Sequence, residues 1–138
     1  MNLFEASLLK EVKKIIEEKK VKAVAYRLKQ AKFCSQVCDL LVDSPVKEYY
    51  LAIECKSRKG TDLLNFNHDF STSKEGGQLE VLKSFCDQSG RLGLVVFKSN
   101  KLVKAARLEA VLELKEKGQK STKIKEEEIW KDLGYYLC

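Results

Sequence analysis

Phe4, Leu8, Val12, Ile15 and Ile16 recur at the helical period of ~3.6 residues while Lys13, Lys14, Glu17 and Glu18 face away. This predicts an opening amphipathic helix that ends at Lys19 and Lys20. The period then shortens. Residues 22–29 alternate, with Val24, Tyr26 and Leu28 on one side and Ala23, Ala25 and Arg27 on the other, as in a strand. A second, more apolar strand is expected over residues 36–43, and Ser44-Pro45 starts a turn. A third covers residues 49–57, where Tyr49, Tyr50 and Ile53 are good strand formers. Residues 58–73 read as a polar loop broken by Leu63, Leu64, Phe66 and Phe70. Leu79, Leu82 and Phe85 predict a helix over residues 75–88, stopped before Gly90, and residues 92–97 form a short, fully buried strand. Beyond it, Leu108, Val111 and Leu112 predict a helix over residues 102–117 that ends at Gly118. A short extended piece at 121–124 and a short helix over 126–133, closed by Gly134, complete the chain. The expected order is α-β-β-β-α-β followed by helices: one α/β domain over residues 1–138, with its core at 3–97 and a mostly helical extension at 98–138.

A chain of 138 residues that is 44% apolar can bury one core. Its apolar runs fall short of the roughly 18 residues of a membrane helix, and no secretory leader pattern precedes the first helix. Five cysteines at irregular spacing do not make a disulfide framework, so reduced thiols and a cytoplasmic location are expected. Cys34 and Cys38 have half of a zinc spacing, but no second pair follows and His68 is the single histidine, so a metal–thiolate site is set aside. The net charge is +6, and residues 1–35 hold nine Lys or Arg against four acids. Two readings of that basic run stay open: a solvated helix end, or an electrostatic footprint for a polyanion such as nucleic acid.

Candidate chemistry comes from pairing the second and third strands as an antiparallel hairpin around residues 45–47. In that register Asp39 lies opposite Glu54, with Cβ atoms ~5 Å apart, and the two-residue period puts Lys56 on the same face. Two carboxylates facing each other suit Mg²⁺, which takes a few carboxylates together with waters and phosphate oxygens. A neighbouring ammonium can orient an attacking water or stabilise a phosphate transition state. Asp43, roughly 13 Å further along the strand, is better placed as a turn-initiating residue. The same register makes Cys38 and Cys55 cross-strand neighbours on the opposite face, where reduced thiols pack as small hydrophobes. Glu5 lies only about 20° from the centre of the helical apolar stripe. It either sits at a frayed first turn, where the helix dipole favours it, or points into something that needs negative charge.

A helix, an acid at a strand start (Cys38-Asp39) and Glu54-Cys55-Lys56 on the next strand resemble the PD-(D/E)xK nuclease superfamily, and most closely its archaeal Holliday junction resolvases, in which Glu-x-Lys is often trailed by Ser as Lys56-Ser57 is here. That resemblance implies a restriction-endonuclease-like α/β fold with a mixed central sheet and C-terminal helices. It implies a Mg²⁺-dependent endonuclease, with Mn²⁺ as substitute, acting on DNA, including branched DNA, as a homodimer. Asp39, Glu54 and Glu5 would hold the metal, Lys56 would assist the water, and Gln78 would stand near the site, unless it is simply an exposed helix-face amide. Arg27, Lys29, Lys32, Arg58 and Lys59 are the candidate phosphate contacts. His68 is either a loop histidine without a role, the favoured reading, or a phosphate contact or acid at the border of the site. Two departures are visible: Cys38 stands where Pro is usual, and residues 28–35 lack the glycine of the Gly-Ser-rich segment common in such resolvases. The competing reading is a non-catalytic DNA-binding or interaction module on the same fold.

Overall fold

The computed structural model describes residues 3–28, 37–70, 72–73, 76–125 and 127–137. Helix α1 (Leu3–Lys19) buries Phe4, Leu8, Val12 and Ile16, one residue per turn on a single stripe. It closes with Lys20 in the left-handed region (φ 54°), while the Lys20 and Val21 amides bond back to the carbonyls of Glu17 and Ile16. Strands β1 (Val24–Arg27) and β2 (Leu40–Asp43) follow, then a 3-10 turn (Lys47–Tyr49) and β3 (Leu51–Arg58). The segment expected as a polar loop contains β4 (Leu63–Asn65), α2 (Phe66–Asp69) and the two-residue strand β5 (Thr72–Ser73), and the two-residue strand β6 (Gly76–Gly77) stands where the next helix was expected to begin. After these come α3 (Gln78–Ser89), β7 (Leu92–Ser99), β8 (Leu102–Arg107), α4 (Leu108–Glu116), β9 (Ser121–Lys123) and α5 (Leu133–Tyr136).

The central sheet runs β1-β2-β3-β7-β8 and is mixed. β1, β2 and β3 are antiparallel neighbours, β3 and β7 are parallel, and β8 returns antiparallel to β7. The hairpin register matches the one inferred from the sequence: Leu40 pairs with Ile53, Leu41 with Ala52 and Val42 with Leu51. β3 and β7 are covered on both faces, which is why Leu51-Ala52-Ile53 and Leu94 to Phe97 read as continuous apolar runs. Leu40, Val42, Leu51, Ile53, Leu94 and Val96 pack toward α1. Leu41, Ala52, Val95, Phe97 and Ala106 pack toward α3 and α4 on the other side.

The helix expected over residues 102–117 is a strand followed by a helix. Leu102, Ala105, Ala106 and Leu108 have helical spacing and good helix propensity, but Ala105 and Ala106 are fully buried on opposite faces of the sheet beside Val96 and Val95. Sheet pairing with β7 overrides local preference here. The C-terminal part is likewise built into the body. β9 pairs with β4, Trp130 is buried with its Nε1–H donated to Thr122 Oγ1 (2.9 Å), and Lys131 bridges to Ala105 on the outer edge of β8. The short terminal helix is Leu133–Tyr136 rather than residues 126–133, and the Leu137 carbonyl accepts the Tyr49 hydroxyl at 2.7 Å. Residues 98–137 therefore supply the fifth strand and part of the core.

Arg91, at the start of β7, ties the far end of the hairpin together. Its guanidinium donates to the carbonyls of Val42 (3.0 Å) and Leu51 (3.3 Å) and to Asp43 Oδ1 (2.6 Å), and lies 4.2 Å from the Tyr50 ring centre. The Tyr26 hydroxyl donates to the other Asp43 oxygen at 2.7 Å. These partners, Tyr26 first and then Arg91, hold the Asp43 carboxyl below the usual carboxylate range. Gly93 is set by close approach: a Cβ there would meet Leu108 Cβ and Cδ2 at 2.8 Å.

Two outcomes are expected. Gly93→Ala forces α4 away from β7 and lowers stability by ~1–3 kcal/mol in urea titrations. Asp43→Asn lowers stability by roughly 0.5–1 kcal/mol at neutral pH, a value discounted for a half-exposed carboxylate. Because the folded-state pKa is depressed, that contribution is complete above about pH 4 and disappears as pH falls through the lower folded value. Urea midpoints of the two proteins should therefore converge in acid.

Candidate active site

Alternation along β3 decides which side chains meet. Ile53 and Cys55 face α1, so Glu54 and Lys56 face the α3 side. Among the described residues Glu54 is the buried acid, only 2% exposed. It is covered by the start of α3, where Gly77 caps the helix in extended conformation and Gln78 donates Nε2–H to Glu54 Oε2 at 2.7 Å. Gln78 is thus drawn inward and is not a solvent-facing amide.

Asp39 precedes β2 and leaves the regular ladder. Its amide bonds the Ile53 carbonyl (3.0 Å), while its Oδ2 accepts the Cys55 amide (2.7 Å). That anchor on the β3 backbone holds the carboxylate at the sheet's end, in hydrogen-bonding contact with Glu54 from one side and Glu5 from the other. Glu5 is therefore not at a frayed helix end. It points inward from the first turn of α1, and Arg27 on β1 donates Nη2–H to its Oε2 at 2.7 Å. Lys56 stands over the buried Phe70, with Nζ 5.3 Å from the ring centre.

The electrostatics follow from burial. Glu54 is pushed up to about 9, first by burial and then by the hydrogen bond and charge of Asp39, against the opposing pull of Lys56 and Gln78. Glu5 is raised as well, by burial and then by Asp39, with Arg27 opposing. Burial pushes the Cys38 thiol up to about 12 and raises Cys55 too, so both are un-ionised and unreactive. One expectation fails here. Cys38 and Cys55 do not share the far face: Cys38 packs with Leu41 toward α3, and Cys55 with Ile53 toward α1. The cause is the departure of Asp39 from the ladder, which breaks strict alternation one residue before the strand.

Glu5, Asp39, Glu54, Lys56 and Gln78 are thus brought together, with Arg27 engaged by Glu5. Arg58 lies two residues beyond Lys56 and donates Nε–H to Asp69 Oδ1 at 2.6 Å; Lys59 is exposed past the strand end. Lys29, Lys32, Cys34 and the side chain of His68 lie outside the described residues. Sequence reasoning missed Asp69 and Phe70. Asp69 also accepts the Asn65 amide (2.7 Å), so it pins the β4–α2 segment to β3 and sets Phe70 beneath Lys56. The clue was the set Leu63, Leu64, Phe66 and Phe70, too apolar for an exposed loop.

Among the described residues no group of three or more His, Cys, Asp or Glu side chains is placed to hold a metal ion, so Glu5 does not join the other two acids in a three-ligand set. The donor set is the Asp39–Glu54 pair, in which Glu54 is buried and Asp39 half-buried. Two hard oxygen ligands of this kind match the coordination habit of Mg²⁺, which completes its shell with waters and substrate phosphates.

Comparison with protein-family models gives no match, and comparison with curated proteins gives none either. Among solved structures, the chain is similar to the 1.6 Å structure of Hjc, a Holliday junction resolvase from the archaeal hyperthermophile Archaeoglobus fulgidus. The two are 20% identical, the match covers 98% of this chain and 96% of that one, and the TM-score is 0.68. The chain has the restriction-endonuclease-like fold of that archaeal resolvase, in agreement with the resemblance carried by Asp39 and Glu54-Cys55-Lys56.

Proposed function

We propose that this chain is a divalent-metal-dependent endonuclease that hydrolyses DNA phosphodiester bonds, with branched DNA as its substrate. The observation that carries this reading is a carboxylate buried to 2% exposure, in contact with a second carboxylate, with an ammonium on the same strand face. Such a pair is tolerated when Glu54 keeps its proton, and a divalent cation is the other group that can take that proton's place between the two acids. The fold shared with Hjc supports the reading, since Hjc is a Holliday junction resolvase and a Holliday junction is a branched DNA.

Asp39 and Glu54 would hold Mg²⁺ or Mn²⁺, with Glu5 on the far side of Asp39 as the third acid. When bound, the ion would neutralise phosphate charge and make a coordinated water acidic. Gln78 orients Glu54 through its amide, and Arg27 keeps Glu5 turned toward Asp39. Lys56 is placed to orient the attacking water or to stabilise the charge that builds on the phosphate. Phe70 and the Arg58–Asp69 pair restrict where its ammonium can lie. Cutting two opposed strands of a junction requires two such sites, so a twofold homodimer is the expected assembly. No helix among the described residues is long and apolar enough to cross a membrane.

The test is cleavage of labelled four-way junctions, flaps and linear duplex with Mg²⁺ or Mn²⁺. Wild-type protein is expected to cut branched substrates, Asp39→Ala and Glu54→Gln to bring cleavage to background while junction binding persists, and Gln78→Ala to slow it about 10–100-fold. Wild-type protein that binds DNA but cuts none of the three would establish the non-catalytic module instead. Glu54→Gln should also raise the urea midpoint at neutral pH in metal-free buffer, because Glu54, raised to about 9 by burial and Asp39, must take up a proton on folding and Gln need not.

A further inference from the structure

Gln78 reaches Glu54 from the first position of α3, so the place where α3 starts decides whether the candidate active site keeps this amide. The local sequence does little to fix that start. Gly76 and Gly77 precede it, glycine is a weak helix former, and Gly77 as the capping residue has no side chain to offer the first turn. Two holds from outside replace the missing cap. On one side Gly77 pairs with Thr72 in the β5–β6 ribbon. On the other, Glu80 folds back over it: a Cβ on Gly77 would lie 2.7 Å from Glu80 Oε2. Glu80 is the third helical residue after the cap, the position from which a glutamate reaches back to a helix start.

The Glu80 carboxylate is itself held. Lys115 on α4 donates from Nζ to the other oxygen, Glu80 Oε1. Lys115 belongs to the last turn of α4 and Glu80 to the first turn of α3. The negative end of one helix dipole and the positive end of the other thus each meet the charge that suits them. Glu109, Glu113 and Glu116 line the groove between α3 and α4 beside Glu80, and they disfavour a fourth carboxylate left loose among them. Lys83 in the same groove is turned to Asp87 at 2.6 Å, so Lys115 is the cation that holds Glu80 toward Gly77. The pair is partly open to solvent, with side chains 29% and 46% exposed, and contributes little to overall stability. Its consequence is positional.

We propose that Glu80 and Lys115 are positioning residues of the candidate active site: their ion pair sets the first turn of α3, and that turn delivers Gln78 to Glu54. The effect on cleavage rests on the nuclease reading; the effect on Gln78 rests on geometry alone. Gly77 has a part in the same device. Its backbone (φ −72°, ψ 155°) is open to any residue, and the nearest atoms an added methyl group meets are those of the Glu80 carboxylate. Gly77→Ala therefore displaces that carboxylate and should act like Glu80→Ala, although one adds atoms and the other removes them.

Two measurements test this. The first needs no activity: the Gln78 side-chain amide is followed by heteronuclear NMR in metal-free buffer, its signal assigned by its loss in Gln78→Ala. Glu80→Ala and Gly77→Ala should each move that signal toward the position of a free glutamine and speed its exchange with solvent. Lys115→Arg, which keeps a donor, and Glu113→Ala, which removes a neighbouring acid of the same groove, should leave it at the wild-type position. The second is single-turnover cleavage of a four-way junction with Mg²⁺, alongside junction affinity in EDTA. Glu80→Ala should slow cleavage about tenfold with affinity held within about twofold. In a Gln78→Ala background it should cost nothing further, since both changes act through one amide. A merely structural role would instead lower the urea midpoint and multiply the loss of Gln78→Ala. An unmoved Gln78 signal in Glu80→Ala, or independent losses in the double variant, overturns the proposal. If wild-type protein cuts no DNA, the nuclease reading falls and the Gln78 signal alone decides the positioning role.

Discussion

The constraint on which the molecule depends is a glutamate in the middle of a central strand. β3 has β2 on one side, β7 on the other and helices over both faces, so Glu54 is almost wholly removed from solvent. A carboxyl group placed there must find polar partners within the protein. Gln78 can reach it only if α3 begins where it does, and Asp39 can reach it only by leaving the β2 ladder to bond the backbone at Cys55. The start of one helix and the end of one strand are therefore set by the needs of a single buried side chain. Arg91 and Tyr26, holding Asp43 at the other end of the hairpin, keep the register that makes this meeting possible.

Much of this arrangement was legible because it obeys period two. Leu40, Leu41 and Val42 opposite Leu51, Ala52 and Ile53 admit one register that buries both faces, and that register places Asp39 beside Glu54. Glu5 was visible as an acid within an apolar stripe. Legibility ended where tertiary contacts override local pattern. Ala105 and Ala106 look helical and lie in a strand, because Ala106 is buried beside Val95 on the α4 face and Ala105 beside Val96 on the α1 face. Cys38 took the wrong face because no local rule reveals that Asp39 steps out of line. Asp69 and Phe70 escaped notice because their partners, Arg58 and Lys56, were read only for their own charge.

Basic residues divide in the same way. The dense run near the N-terminus was open to two readings, a solvated helix end or part of a polyanion footprint, and within it Arg27 is committed internally to Glu5. A second lysine-rich stretch, Lys115 to Lys125, is followed at once by three glutamates, and β9 within it is paired with β4. A charge census by sequence window weights neighbours in the chain, whereas a polyanion responds to neighbours in space.

Likeness of fold at 20% identity says little about chemistry, since one architecture serves many activities. The cost of the carboxylate pair says more. If the scaffold only had to fold, position 54 would be better filled by a residue like Ala52 or Ile53, which the same strand buries without any polar partner. Glu54 instead draws in Gln78 and Asp39, and Asp39 in turn draws in Glu5 with Arg27 behind it. Each addition solves a problem created by the previous one, and the series lies on the strand face that carries Lys56 over Phe70. An arrangement that destabilises the isolated protein, and that a divalent cation with a phosphodiester would relieve, is what a hydrolytic site requires before its substrate arrives.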